Sequence, residues 1–171
     1  MNLRAPAGVA IATARLNTPM SIRQRLADLD LPIAKPAGTF GTYVPARRVG
    51  NLIYVSGQLP MKDGQLIAKG PVPSAASVEQ AKLAARQCVI NALGAVETLE
   101  GGVDQIAGVV RVGAFVACDA GFEQQPTIAN AASDLLIELF GERGRHARAA
   151  VGTNALPLGA SVEIEFLFET K

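Results

Sequence analysis

The segment from Gly144 to Lys171, GRHARAAVGTNALPLGASVEIEFLFETK, decides the fold class. In its second half Val162, Ile164, Phe166 and Phe168 alternate with Glu163, Glu165, Leu167 and Glu169. A period of two places an apolar set on one face of a strand and carboxylates on the other. The first half, Ala147 to Val151, reads as another strand, with a lone Arg148 among small residues. Between them Leu156-Pro157-Leu158-Gly159 is a turn signal, so the two strands are expected to form a hairpin. Two roles stay open for Arg148 on this pattern. It is either an edge residue reaching water or a guanidinium placed where a ligand can reach it.

Outward from this pair the chain alternates strands with helices. Ile128, Ala132, Leu135, Leu136, Leu139 and Phe140 mark a helix, with Pro126 near its first turn and Gly141 closing it. Ile106 to Cys118 is a strand rich in β-branched residues. A longer helix opens at Ser77, whose hydroxyl and Gln80 form a capping box. Its apolar stripe runs Val78, Ala81, Ala85, Cys88, Val89, Ala92, Val96 and Leu99, and Gly101-Gly102 stops it. Earlier still, Thr39 to Val49 and Leu52 to Val55 pair as a hairpin about Gly50-Asn51. The second of these strands ends in Ser56-Gly57-Gln58-Leu59-Pro60. A turn at Asp63-Gly64 precedes a brief strand from Gln65 to Ala68. Ser21 to Leu31 forms a short amphipathic helix, ended by Pro32.

At 171 residues the chain is long enough for one domain with a sizeable core, and 49% apolar against 18% charged residues excludes disorder. Sixteen basic against fifteen acidic residues leave no electrostatic footprint for nucleic acid. No run approaches the length of a membrane span. Cys88 and Cys118 lack metal-ligand spacing and read as reduced, packed thiols of a cytoplasmic protein. The single histidine, His146, rules out His-rich metal sites. Residues 1–20 are set apart as an N-terminal extension, free of fixed structure, from one domain over 21–171. The first nineteen residues carry Arg4 and Arg15 but no acid. Either a targeting segment or a true start at Met20 fits that composition.

The element order predicts an α+β layer, with two helices covering one face of a mixed sheet. The other face keeps Leu167 and the alanines beside Arg148. A half-apolar open face of this kind is expected to be covered by a further copy of the chain.

The runs Gly50 to Pro60, His146 to Val151, Leu156-Pro157 and Val162 to Glu165 resemble the RidA/YjgF family, the reactive intermediate deaminases also labelled endoribonuclease L-PSP-like. The resemblance spans residues 38–169 in order and spacing. It implies a chorismate-mutase-like fold, a homotrimer and ligand clefts between subunits. It also implies hydrolysis of 2-imino and 2-enamino acids, such as 2-aminoacrylate, to 2-keto acids and ammonia, with no metal or organic cofactor.

Residue by residue, Arg148 matches the family arginine that grips the substrate carboxylate. A planar guanidinium suits that role because it pairs with a carboxylate bidentately. The competing role is a salt bridge to a glutamate of the same sheet. Glu163 stands where the family has a glutamate near the hydrolytic water, a group able to take its proton. By alternation Glu163 shares its face with Glu165, so one of the pair is expected to be merely solvated. Tyr43 matches the cleft tyrosine, and Ser56 and Gly57 the polar strand end that lines the cleft. Ser133 stands at the family's helix asparagine, with Asn130 one turn earlier. Ala150 replaces the family cysteine two residues after the arginine, which removes thiol chemistry. His146 replaces a proline; of two open roles, a titrating cleft residue and a surface residue beside Arg143 and Arg145, the surface one is expected. The activity so implied is imine or enamine deamination of a small carboxylate-bearing metabolite. The alternatives are a non-catalytic module binding a keto or amino acid in the same clefts, and an endoribonuclease. Balanced charge and scarce aromatics weigh against the last.

Overall fold

In the computed structural model, which describes residues 20–35 and 41–171, five strands form one mixed sheet. The extension over residues 1–20 lies, Met20 apart, outside the described residues, as do Thr39 and Phe40 of the first expected strand. The elements run α1 (Ile22–Asp28), β1 (Ala46–Val49), β2 (Leu52–Gln58), β3 (Met61–Lys62), β4 (Gln65–Leu66), α2 (Val78–Val96), β5 (Ile106–Ala117), α3 (Gln125–Phe140), β6 (Ala147–Thr153) and β7 (Val162–Thr170). The sheet order is β1-β2-β7-β5-β6, and β3 pairs with β4 in a separate two-stranded ribbon. Only β5 and β6 run parallel in the five-stranded sheet. They are joined through α3, and a parallel pair requires such a crossover.

One expectation fails here: β6 and β7 are not a hairpin. They lie on opposite sides of β5. At the end of β5 the Cys118 N–H donates to Thr153 O and the Ala117 N–H to Ser161 O, at 3.0 and 2.9 Å. The Pro/Gly loop therefore rounds the end of β5 instead of turning tightly. A turn signal reports a reversal of the chain but not whether a third strand fills the space between. The first expected strand is also shorter, since residues 41–45 precede β1 without strand pairing.

The helices are built as their sequences indicate. Ser77 Oγ accepts from the Gln80 N–H at 3.1 Å while Gln80 Oε1 accepts from the Ser77 N–H at 2.9 Å, the two halves of a capping box. Helix α2 stops at Val96, one turn short of the expected Leu99. Helix α3 has Pro126 in its first turn and ends at Gly141. A third helix, α1, is capped by Ser21 and buries Leu26 at the rim. Small residues Ala81, Ala84, Ala85, Cys88 and Ala92 form the buried stripe of α2 and let it lie close on the sheet.

Against the helices β7 presents Val162, Ile164, Phe166 and Phe168, all buried. Phe168 stacks on Phe166 at 5.8 Å between ring centroids and tilts against Phe140 at 6.3 Å. Burying such a ring stabilises the fold by about 1.5–3 kcal/mol, and truncating it to alanine costs about 3–5 kcal/mol once the cavity is included. On the opposite face Leu167 lies between Tyr54 of β2 and Arg111 of β5, and Phe115 lies beside Glu163 and Val151. Tyr54 is 52% exposed and Val151 47%, so this face carries apolar surface that the described residues do not cover. Among the described residues no helix is long and apolar enough to cross a membrane.

Candidate functional site

Two groups of expected residues are assembled, in different places. The first lies where edge strand β6 meets α3. Asn130, Ser133 and Ile137, spaced three and four apart, share one side of α3. In the parallel register Arg148 is the partner of Val112, a core residue, so its side chain leaves the sheet on the helix-covered side. There its Nη1 donates to Asn130 Oδ1 and to Ser133 Oγ, both at 2.9 Å. Among the described residues no carboxylate pairs with Arg148, which removes the salt-bridge alternative. The sheet glutamate that takes a cation is Glu165, held at 2.6 Å by Arg111 Nη1.

His146 belongs to this group, contrary to the expectation of a plain surface residue. It is half-buried, with Nδ1 2.6 Å from Gly144 O and Nε2 3.0 Å from Ser133 Oγ. The short turn Gly141–Gly144 brings it there by pressing against α3. A side chain at Gly144 would collide with the Leu136 carbonyl, with its Cβ 2.8 Å from Ile137 Cα. Ser133, Ile137, Arg145, His146 and Arg148 line an open depression of about 410 Å³. Among the described residues no acid lines it, while Arg145 and Arg148 both do.

The second group lies on the open face. The β2–β7 register shifts at a bulge between Val55 and Gln58, where Gly57 lies beside the side chain of Glu163. A Cβ on Gly57 would strike the Glu163 carboxylate, so glycine is what lets the carboxylate lie against β2. Ser56 Oγ donates to Val44 O at 2.8 Å and the Ser56 N–H to Pro45 O at 3.0 Å. These bonds tie down the 41–45 segment, where Tyr43 stands half exposed. Among the described residues no side chain or N–H donates to Glu163, unlike Glu165 with its arginine. Burial, and then the neighbouring Glu165 charge, push the Glu163 carboxyl above its ordinary value.

The two groups do not meet within one chain. Arg148 lies on the helix side of β6, Glu163 on the open side of β7, and β5 runs between those strands. Sequence reasoning preferred a surface position for His146 over a cleft role and left Asn130 as a near miss. For Asn130 the available signal was its helical spacing of three from Ser133. A larger cavity, about 550 Å³, lies between α2, the β3–β4 ribbon and residues 30–35, and contains none of the expected residues. Of its polar side chains Asn91 already serves the fold, with Nδ2 donating to Leu59 O and Met61 O at 2.8 and 3.0 Å. No group of three or more His, Cys, Asp or Glu able to hold a metal occurs among the described residues.

Comparison with known proteins identifies the family and the fold. The family described as "YjgF/chorismate_mutase-like, putative endoribonuclease" matches residues 22–170. Protein TCP17 of Trypanosoma cruzi is 38% identical over 148 residues, which cover 85% of this chain and 90% of that protein. The crystal structure of Atu1372 from Agrobacterium tumefaciens is 41% identical, with a TM-score of 0.80 over 88% of this chain and 92% of the other. The YjgF gene product of E. coli is more distant, at 26% identity and a TM-score of 0.56 over 80% and 94% of the two chains. With a match that begins in α1 and runs to the end of β7, the chain belongs to the YjgF/chorismate mutase-like family.

Proposed function

We propose that this protein hydrolyses small 2-imino and 2-enamino acids to 2-keto acids and ammonia, in clefts between the subunits of a homotrimer. The observation that carries the reading is Arg148: a guanidinium at the surface, oriented by two neutral oxygens and matched to no acid. Such a group has charge and donors left for a ligand carboxylate. Tyr43, Ser56, Gly57 and Glu163 supply the other wall of the cleft, from a neighbouring copy. The uncovered apolar face around Tyr54, Leu167 and Val151 is the surface for that copy.

The chemistry needs little else. Protonated imine carbon is already electrophilic. Glu163 takes a proton from water as the oxygen adds to that carbon, and passes it to the nitrogen. It then takes the hydroxyl proton as ammonia leaves and the keto acid forms; the departing ammonia or water carries that last proton away. A carboxylate raised by desolvation is a stronger base than one in water, which suits this step. A non-catalytic module that binds keto or amino acids is the second reading. It is favoured by the separation of Arg148 from Glu163 within the chain. An endoribonuclease, the activity in the family's description, fits a chain of net charge +1 poorly.

Ammonia release from freshly generated 2-aminoacrylate tests the proposal. The native protein should accelerate it above the uncatalysed rate, and Glu163→Gln should abolish the acceleration while still binding pyruvate. Binding with no acceleration supports the second reading. Neither binding nor acceleration removes both.

A further inference from the structure

We propose that His146 is a positioning residue for Arg148, acting through Ser133, and that protonation of its ring strengthens carboxylate binding. This rests on the reading of Arg148 as a carboxylate anchor. The geometry is a directed chain of hydrogen bonds. Gly144 O can only accept, so the proton of that bond sits on Nδ1. In the neutral ring Nε2 is then a lone pair, and the 3.0 Å contact requires Ser133 to donate its hydroxyl proton to it. The Ser133 oxygen is left with its lone pairs toward Arg148 Nη1, which donates to it at 2.9 Å. His146 thereby fixes the rotation of one hydroxyl, and that hydroxyl helps hold the guanidinium.

Protonating the ring reverses one bond. Nε2 becomes a donor to Ser133 Oγ, the oxygen accepts from both His146 and Arg148, and its own proton is released toward the depression. A carboxylate there gains a donor and a further positive charge, with no heavy atom moved. The charged groups around the ring are accounted for. Arg145 and Arg148 line the same depression, and Glu142 is engaged by Arg145 at 2.9 Å. Arg143 stands on the same connection. On α3 neither Asp134 nor Glu138 lines the depression, and Glu138 lies 3.9 Å from Arg86. On β5, Arg111 is held by Glu165. No acid borders the imidazolium, so a ligand carboxylate is the group that would stabilise it. By linkage, binding and protonation then favour each other.

The test uses pyruvate as probe, titrated calorimetrically from about pH 8 to about pH 5.5. Affinity should rise about five- to tenfold toward acid. His146→Ala should weaken binding and flatten the profile. His146→Gln, which can still donate to Gly144 O and accept from Ser133, should recover part of the affinity but none of the pH dependence. Repeating the titration in Glu163→Gln removes that carboxylate as a source of the slope. A native profile in His146→Gln overturns the proposal, as does equal weakening of all variants in step with a lower melting temperature. Because the chain has a single histidine, its ring nitrogen resonances can be assigned without ambiguity. The Nδ1–H form is expected at high pH, and the Nε2–H form overturns the relay whether or not pyruvate binds. Absence of pyruvate binding at every pH overturns the linkage. With the Nδ1–H form present, that result places the fault in the carboxylate reading of Arg148 and not in the relay.

Discussion

A guanidinium has five N–H donors, and both hydrogen bonds of Arg148 come from Nη1. Removing the side chain leaves no buried carboxylate unpaired, because its partners are an exposed amide and a half-buried hydroxyl. Arg148→Ala should therefore melt close to the native protein while imine hydrolysis falls by about a hundredfold or more. Arg148→Lys should recover little, since an ammonium cannot reproduce two parallel bonds. Rate and melting temperature measured on the same two variants check this, and full activity in folded Arg148→Ala would end the assignment. Glu163 makes a prediction of opposite sign for stability. Its folded-state pKa is raised, so the native state favours the protonated form, and that contribution is lost as pH rises through the shifted value. At neutral pH Glu163→Gln should raise the melting temperature, by about 1–3 °C because half-exposure leaves part of the hydration intact. The gain should vanish under acid conditions where native Glu163 is itself protonated. Arg148 stood out in the sequence as a lone charge among small residues, whereas only the family resemblance singled out Glu163 from Glu165. The place of His146 was not legible, since a hydrogen bond to a helix residue thirteen positions earlier leaves no periodic trace.

Among the elements, the bulge of β2 and the turn before β6 set the positions of these charges. Gly57→Ala at the bulge would put its Cβ 2.9 Å from Glu163 Cδ and 3.2 Å from Cγ. The carboxylate end can swing aside, so stability should suffer little. Displacing a reacting group by about 1 Å costs about a hundredfold in rate, and hydrolysis should fall accordingly. Gly144→Ala differs because the obstacle is backbone, with the Leu136 carbonyl carbon 2.7 Å away. Here a loss of about 1–3 kcal/mol is expected, read as a drop of several degrees in melting temperature, together with a broken His146–Ser133 bond. The element types themselves were readable. Capping residues, glycine stops and a period of two or near 3.6 are local signals, and Ser77, Gly141 and the β7 alternation all carried them. What failed was neighbourhood. The Pro157-Leu158-Gly159 turn looks the same whether the chain returns beside β6 or passes around β5.

At the scale of the whole molecule, the proposed cleft would make assembly a condition of activity, because Arg148 and Glu163 lie on opposite faces of the sheet. Light scattering at micromolar concentration should give three chain masses, and specific activity should fall on dilution below the dissociation range. A stable, active monomer would exclude a cleft shared between copies. The sequence pointed to an uncovered face through Leu167 and the alanines, though not to the number of copies that cover it. The sheet order carries a further consequence, for the time course of folding. β7 lies at the centre, between β2 and β5, yet follows both in the chain, and its pairing of Phe166 with Val55 spans more than a hundred residues. During synthesis the earlier strands must wait, with their apolar faces open, until β7 emerges to fill the gap. Such non-local closure is slow. Nascent chains halted before Val162 should therefore engage chaperones, while the helices α2 and α3 form without it.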